Sequence, residues 1–176
     1  MSLPDSVSAL LANASCAGFS GSRAPSLASL AAVAQIAVVI PASTPVVVGD
    51  AAGIDQRARQ LVPSARVFFA SDYGNERRSF AARSIACVQA CASAGGVWCS
   101  FPRGPAPASL RPSSGSACFA GYGSGTWASL AFALGLGLGV VVFLPSDVAA
   151  PAGWPLSPAG GGWFVAQPPT QQLTLF

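Results

Sequence analysis

Gly18-Phe19-Ser20-Gly21-Ser22-Arg23 follows directly on the short apolar run Ser15-Cys16-Ala17, and an Ala-rich, helix-like segment begins soon after it. A strand that ends in a Gly/Ser turn and feeds a helix is the opening half of a β-α-β unit, the repeated piece of a parallel sheet. The same turn carries chemistry. Its glycines let backbone N–H groups approach an anion, a following helix N-terminus adds its dipole, and Arg23 adds a forked, permanently charged donor. Gly18, Ser20, Gly21, Ser22 and Arg23 are therefore candidate phosphate-binding residues, and a plain strand-to-helix connection is the competing reading of the same stretch.

Outward from this turn, apolar runs predict strands near residues 14–19, 45–49, 65–70, 96–101 and 140–144. Helical stretches alternate with them at 26–40, 53–61, 77–94 and 126–138, with Pro and Gly at the breaks. Such alternation predicts an α/β, Rossmann-like fold: an open, mainly parallel sheet with helices on both faces, whose ligands bind at the carboxyl ends of the strands. Two Pro/Gly/Ser-rich loops, 103–125 and 145–162, interrupt the pattern, and Trp163-Phe164-Val165 reads as a last edge strand. The expected organisation is one domain over residues 1–166 and a tail over 167–176.

Composition agrees with that class. Of 176 residues, 52% are hydrophobic and 9% charged, which suits strands buried on both faces. The net charge of +3 permits a nucleic-acid ligand without requiring one. All nine basic residues are Arg, and the chain has no His. The first residues lack the basic region of a secretory signal, so a cytoplasmic location is expected. Cys16, Cys87, Cys91, Cys99 and Cys118 make an odd count without C-x2-C spacing, and they read as small buried hydrophobes rather than a disulfide framework or a metal site. The uncharged run 128–144 is short for a bilayer span, contains Gly135, Gly137 and Gly139, and lacks flanking cations, so it reads as a buried helix followed by a strand, with no membrane partner.

Two further motifs are expected to face the same crevice. Val46-Val47-Val48-Gly49-Asp50-Ala51-Ala52-Gly53-Ile54-Asp55 reads as strand, small-residue turn and helix start, with Gly49, Asp50, Gly53 and Asp55 as candidate nucleotide-binding residues and Asp55 as a cap or a ribose-hydroxyl acceptor. Gly123-Ser124-Gly125-Thr126-Trp127 opens the helix before the last core strand, and its bare amides and two hydroxyls suit a phosphate. Arg57, Arg77, Arg78 and Arg83 are candidates for guiding a phosphate backbone, against the reading that they only solvate helix faces. A nucleophile at Ser22 or Ser124 has neither His nor Lys to activate it. Asp50 and Asp55 suit turn and cap roles better than a catalytic pair. No catalytic residue, metal ligand or definite cofactor is assigned, although a nucleotide-type ligand fits.

The turns at 18–23, 48–55 and 123–127, in this order, resemble the motifs of the SLOG superfamily, a Rossmann-like group that includes the DNA-processing protein DprA (Smf) and the LOG phosphoribohydrolases. The resemblance spans residues 14–144 and implies a pocket for a nucleotide or single-stranded DNA between the first and last Gly loops. The LOG loop Pro-Gly-Gly-x-Gly-Thr-x-x-Glu is matched only in part, since Thr126 is followed by Trp127-Ala128-Ser129 and no Glu. The resemblance implies a role in DNA processing, replication or repair, with nucleotide N-glycosidic hydrolysis or a non-catalytic adaptor as alternatives. The final Gln172-Leu173-Thr174-Leu175-Phe176 resembles the pentapeptide by which bacterial polymerases and repair proteins dock on the β sliding clamp. Leu173, Leu175 and Phe176 would be the apolar anchors and Gln172 the directional hydrogen-bonding group. The sequence also leaves room for a homo-oligomer.

Overall fold

The computed structural model describes residues 2–168, and its sheet has seven strands in the order β3-β2-β1-β4-β5-β7-β6. The strands are β1 (Ala17–Gly21), β2 (Val46–Gly49), β3 (Arg66–Phe68), β4 (Val97–Phe101), β5 (Gly139–Phe143), β6 (Ser157–Gly160) and β7 (Trp163–Ala166). The helices are α1 (Asp5–Ala12), α2 (Leu27–Val39), α3 (Ile54–Leu61), α4 (Arg78–Ser93) and α5 (Gly125–Gly135). β1 to β5 run parallel, as the α/β alternation predicts, and β7 and β6 add an antiparallel edge.

Period-two alternation along the central strands builds two cores. Phe19, Val46, Val48, Cys99, Phe101 and Val141 face α1, α2 and α3, while Val47, Trp98, Val140 and Val142 face α4 and α5. All five cysteines are buried. The chain changes face on passing from β3 through α4 to β4, so the strand order reverses between β1 and β4. Ligands of open α/β sheets bind at such a switch point.

The segment Trp163–Ala166 corrects the expected edge strand. It lies between β5 and β6, and the edge is Ser157–Gly160. That edge contains Pro158 and Gly160, which carry no strand signal, although proline is tolerated where one side of the strand is unpaired. Helix α1 is a second element that the alternating pattern does not mark. It starts after Pro4 with Asp5 in its first turn, and Val7 and Leu11, four residues apart, insert into the core. The uncharged run 128–144 divides into the rest of α5, a turn, and β5. Gly137, at φ +77°, and Leu138 close α5 by donating to the carbonyls of Leu134 and Ala133, at 3.0 and 3.1 Å, so the helix ends at Gly135 rather than near 138. Among the described residues, no helix is long and apolar enough to cross a membrane.

Candidate functional site

A cleft of about 1060 Å3 opens at the carboxyl ends of β1 and β4 and is walled by α4 and the start of α5. Ser20, Gly21, Ser22 and Arg23 from the first turn and Gly123, Ser124, Gly125 and Thr126 from the last all line it, so the two loops meet across the switch point. Gly49, Asp55, Arg77, Arg78 and Arg83 also line it, whereas Gly18, Asp50, Gly53 and Arg57 do not.

The first turn is built differently from a strand-to-helix phosphate cradle. Ser22 N–H donates to the Phe101 carbonyl at 3.1 Å, its carbonyl accepts from Ile54 N–H at 3.1 Å, and its hydroxyl accepts from Ala24 N–H at 3.1 Å. Pro25 then holds the chain extended, and α2 begins only at Leu27, where the Ser26 hydroxyl caps it by accepting from Ser29 N–H at 3.1 Å. The amides of Ser22 and Ala24 are thus already used, and the side chains of Ser22 and Arg23 line the cleft. Arg23 reaches across the mouth, its guanidinium carbon 5.0 Å from the centre of the Phe80 ring. Gly18 lies inside β1, where a Cβ would fall 2.2 Å from the Trp98 ring, so this glycine makes room for an indole rather than for a ligand. That indole donates to the Ser20 hydroxyl at 3.0 Å, which fixes the cleft floor.

The last turn keeps the geometry expected of it. Ser124 caps α5 by accepting from Trp127 N–H at 3.4 Å, and the amides of Gly125 and Thr126 have no acceptor among the described residues. The Trp127 indole donates to the Gly104 carbonyl at 2.9 Å, and Arg103 donates to the Ala24 carbonyl at 2.9 Å, tying the segment after β4 to both turns. Arg103 is absent from the sequence-derived candidates, although its place two residues beyond a predicted strand end is a usable signal. Phe80, Phe119 and Tyr122 also line the cleft, and no pattern in the sequence marks them.

The turn after β2 holds an ion-pair cluster. Arg83 and Asp55 are both buried, with Arg83 Nη1 2.9 Å from Asp55 Oδ2 and 3.6 Å from Asp50 Oδ1. Arg83 is therefore no solvated helix residue, and Asp55 neither caps α3 nor stands free for a ribose. Gly49 allows this pairing, because a Cβ there would overlap the Arg83 guanidinium. Burial pushes the Asp55 carboxyl above its ordinary range, while the Arg83 charge and hydrogen bond pull the other way. Asp50 accepts from Ala70 N–H at 3.0 Å, and Arg59 donates to the carbonyls of Gly49 and Ala51. Gly53 sits behind the first turn, where a Cβ would meet the carbonyl oxygens of Ser22 and Arg23.

The cleft is electropositive once its pairs are matched. Asp55 neutralises Arg83, and Glu76 lies 2.8 Å from Arg78, which leaves Arg23, Arg77 and Arg103 without a carboxylate partner among the described residues. Arg83 Nε is buried with no hydrogen-bond partner there. Arg57 lines a smaller groove between α2 and α3 that shares Arg23 with the main cleft. The Cys87 thiol lines the cleft too, but burial drives its pKa far up and keeps it protonated and unreactive. The arrangement suits binding of an anion that also carries an apolar ring. Gln172, Leu173, Leu175 and Phe176 lie outside the described residues. Compared with family models, curated proteins and solved structures, the chain matches none.

Proposed function

We propose that this chain binds a nucleotide, or a short stretch of single-stranded DNA, by its phosphates in the β1/β4 cleft, and that it serves DNA metabolism. The observation that carries the reading is the meeting of Ser22 and Arg23 with the unpartnered amides of Gly125 and Thr126 in one electropositive cleft. Anions are stabilised at such helix N-termini by the dipole and by direct N–H donation. Arg23, Arg77 and Arg103 supply charge, the buried Arg83 Nε is a donor in want of an acceptor, and Phe80 and Tyr122 offer ring surface to a base. Glycosidic hydrolysis is disfavoured by Ser129, which stands where the LOG loop has Glu and donates its hydroxyl to the Gly125 carbonyl at 2.9 Å. The role in DNA metabolism rests on the resemblance of the three turns to the SLOG superfamily.

Gly125→Val tests the site. A Cβ at Gly125 meets nothing within 4 Å, so the fold is retained, whereas a branched side chain fills the space in front of the helix amides. Affinity for AMP or a short oligothymidylate, measured by calorimetry, is expected to fall at least about ten-fold, the loss of roughly one charge-assisted hydrogen bond. Unchanged affinity for both would place the ligand elsewhere. If three arginines contact a DNA strand, raising salt from about 50 to about 200 mM weakens binding roughly ten- to twenty-fold by counterion release, whereas a mononucleotide responds less.

The terminal Gln172-Leu173-Thr174-Leu175-Phe176 supports a second part of the same proposal, recruitment to the β sliding clamp. Two leucines and a phenylalanine on a short peptide can anchor in a hydrophobic cleft with micromolar affinity, about −8 kcal/mol or weaker. Deleting residues 172–176 is expected to abolish capture by immobilised clamp while leaving nucleotide affinity and melting temperature unchanged. Capture that survives the deletion would overturn recruitment by this peptide.

A further inference from the structure

Arg23 stands between two cavities. Its guanidinium reaches Phe80 in the main cleft, whereas its carbonyl lies beside Gly53, which lines the smaller groove between α2 and α3. The groove therefore adjoins the cleft at this residue. Its volume of about 580 Å3 is that of a small-ligand site, where roughly 300–1000 Å3 is usual. One face of α3 makes its polar wall, since Gly53, Gln56, Arg57 and Gln60 follow the i, i+3, i+4, i+7 spacing. Pro25 and Leu30 add apolar surface. Arg57 is half-buried and has no carboxylate partner among the described residues, and none of the described carboxylates lines the groove. A partly buried guanidinium without a counter-charge is a ready donor to an anion from outside the chain.

We infer that the groove holds the continuing backbone of a single DNA strand whose first phosphate occupies the cleft, so that the ligand is an oligonucleotide rather than a mononucleotide; the inference rests on the cleft reading proposed above. Arg23 meets the strand where the two cavities join, and Arg57 pairs with a phosphate beyond it. The carboxamides of Gln56 and Gln60 donate to phosphate or sugar oxygens, and Pro25 and Leu30 carry the apolar faces of sugar and base. No aromatic ring lines the groove, so contact there is to the backbone and tolerant of base sequence. A mononucleotide fills the cleft and leaves Arg57 unused. The stretch ahead of α4 offers a strand a poorer exit. It carries Asp72 and Glu76, the latter 2.8 Å from Arg78, and these carboxylates repel a phosphate backbone.

Calorimetry of the full chain with thymidine 5′-monophosphate and with a 5′-phosphorylated oligothymidylate of about six nucleotides tests this. Wild type is expected to bind the oligomer at least about ten-fold more tightly than the monophosphate, through the added phosphate and base contacts. Arg57→Ala should weaken the oligomer about three- to ten-fold and lower the slope of log affinity against log salt by about 0.7, the share of one phosphate on a single strand. Gln60→Glu, at an exposed position, sets a like charge against the backbone and should weaken the oligomer several-fold. Neither variant should change affinity for the monophosphate or the circular dichroism spectrum, whereas Gly125→Val weakens both ligands. An oligomer bound no more tightly than the monophosphate, or bound equally by wild type, Arg57→Ala and Gln60→Glu while Gly125→Val weakens both ligands, would overturn the groove and leave the cleft reading standing. Equal monophosphate affinity of wild type and Gly125→Val would overturn the cleft reading and the continuous path with it.

Discussion

Asp55→Asn is expected to lower the stability of the domain by about 3–5 kcal/mol, the usual cost of leaving one member of a buried ion pair uncompensated. The amide is isosteric with the carboxylate, so no cavity forms and the loss is electrostatic. Arg83 stays charged and buried, with Nε already lacking a partner and only Asp50, at 3.6 Å, left as a counter-charge. The pair itself is a modest source of stability, because burial opposes ionisation of Asp55 even with Arg83 beside it. A double variant, Asp55→Leu with Arg83→Met, is therefore expected to recover much of the loss, since neither charge is then buried. Urea unfolding of the three proteins checks both statements. A midpoint for Asp55→Asn equal to wild type would mean that Arg83 finds solvent or another partner. Gly49→Ala should resemble Asp55→Asn, because its Cβ occupies the place of the guanidinium.

That cluster shows where sequence reading stops. Gly49, Asp50 and Asp55 are recognisable as a turn with acidic residues, and Arg83 as a helical cation, but nothing local to either segment says that they meet across two elements. A long-range pair of opposite charges leaves no periodic trace. The alternating runs that form β1 to β5 and α2 to α5 are legible because each repeats a short-range rule, apolar continuity in strands buried on both faces and Ala-rich stretches between breakers. Ser157–Gly160 is illegible because its pairing with Trp163–Ala166, not its own propensity, makes it a strand. The order of the Gly loops is enough to bring Ser22 and Thr126 to one cleft, since in a doubly wound sheet the carboxyl ends of β1 and β4 lie side by side. What the loops expose there is not readable. In the first, hydrogen bonds to Phe101 and Ile54 use up the backbone of Ser22 and its hydroxyl is taken by Ala24, while in the last the amides of Gly125 and Thr126 stay open.

Gly135→Val is expected to destabilise the domain by about 3 kcal/mol, at the upper end of overpacking costs, and to weaken ligand binding as well. In the sequence this glycine looks like a defect in a helix. In the fold it is where the long segment after β4 lies against α5, and a Cβ would come within 2.0 Å of the Ser113 carbonyl carbon and 2.4 Å of the Ser114 nitrogen. Those are backbone atoms, which cannot swing aside as a side chain tip does. Ser113 N–H also donates to the Ala131 carbonyl at 3.2 Å, and the Ser113 carbonyl accepts from the Cys118 thiol at 3.4 Å. Displacing Ser113 thus propagates to Phe119, Tyr122 and Gly123, which form one wall of the cleft. The melting temperature should fall by roughly 6–12 °C, taking 2–4 °C per kcal/mol for a domain of this size. Chymotrypsin should cut after Phe119 and Tyr122 faster than in wild type, because the detached segment samples open states more often. Gly104→Ala, in the same segment but with nothing within 4 Å of its Cβ, is the control and should match wild type in both measurements. If Gly135→Val also matched wild type, the segment would not depend on this close approach, and the wall of the cleft would be held by hydrogen bonds such as that of Trp127 to Gly104.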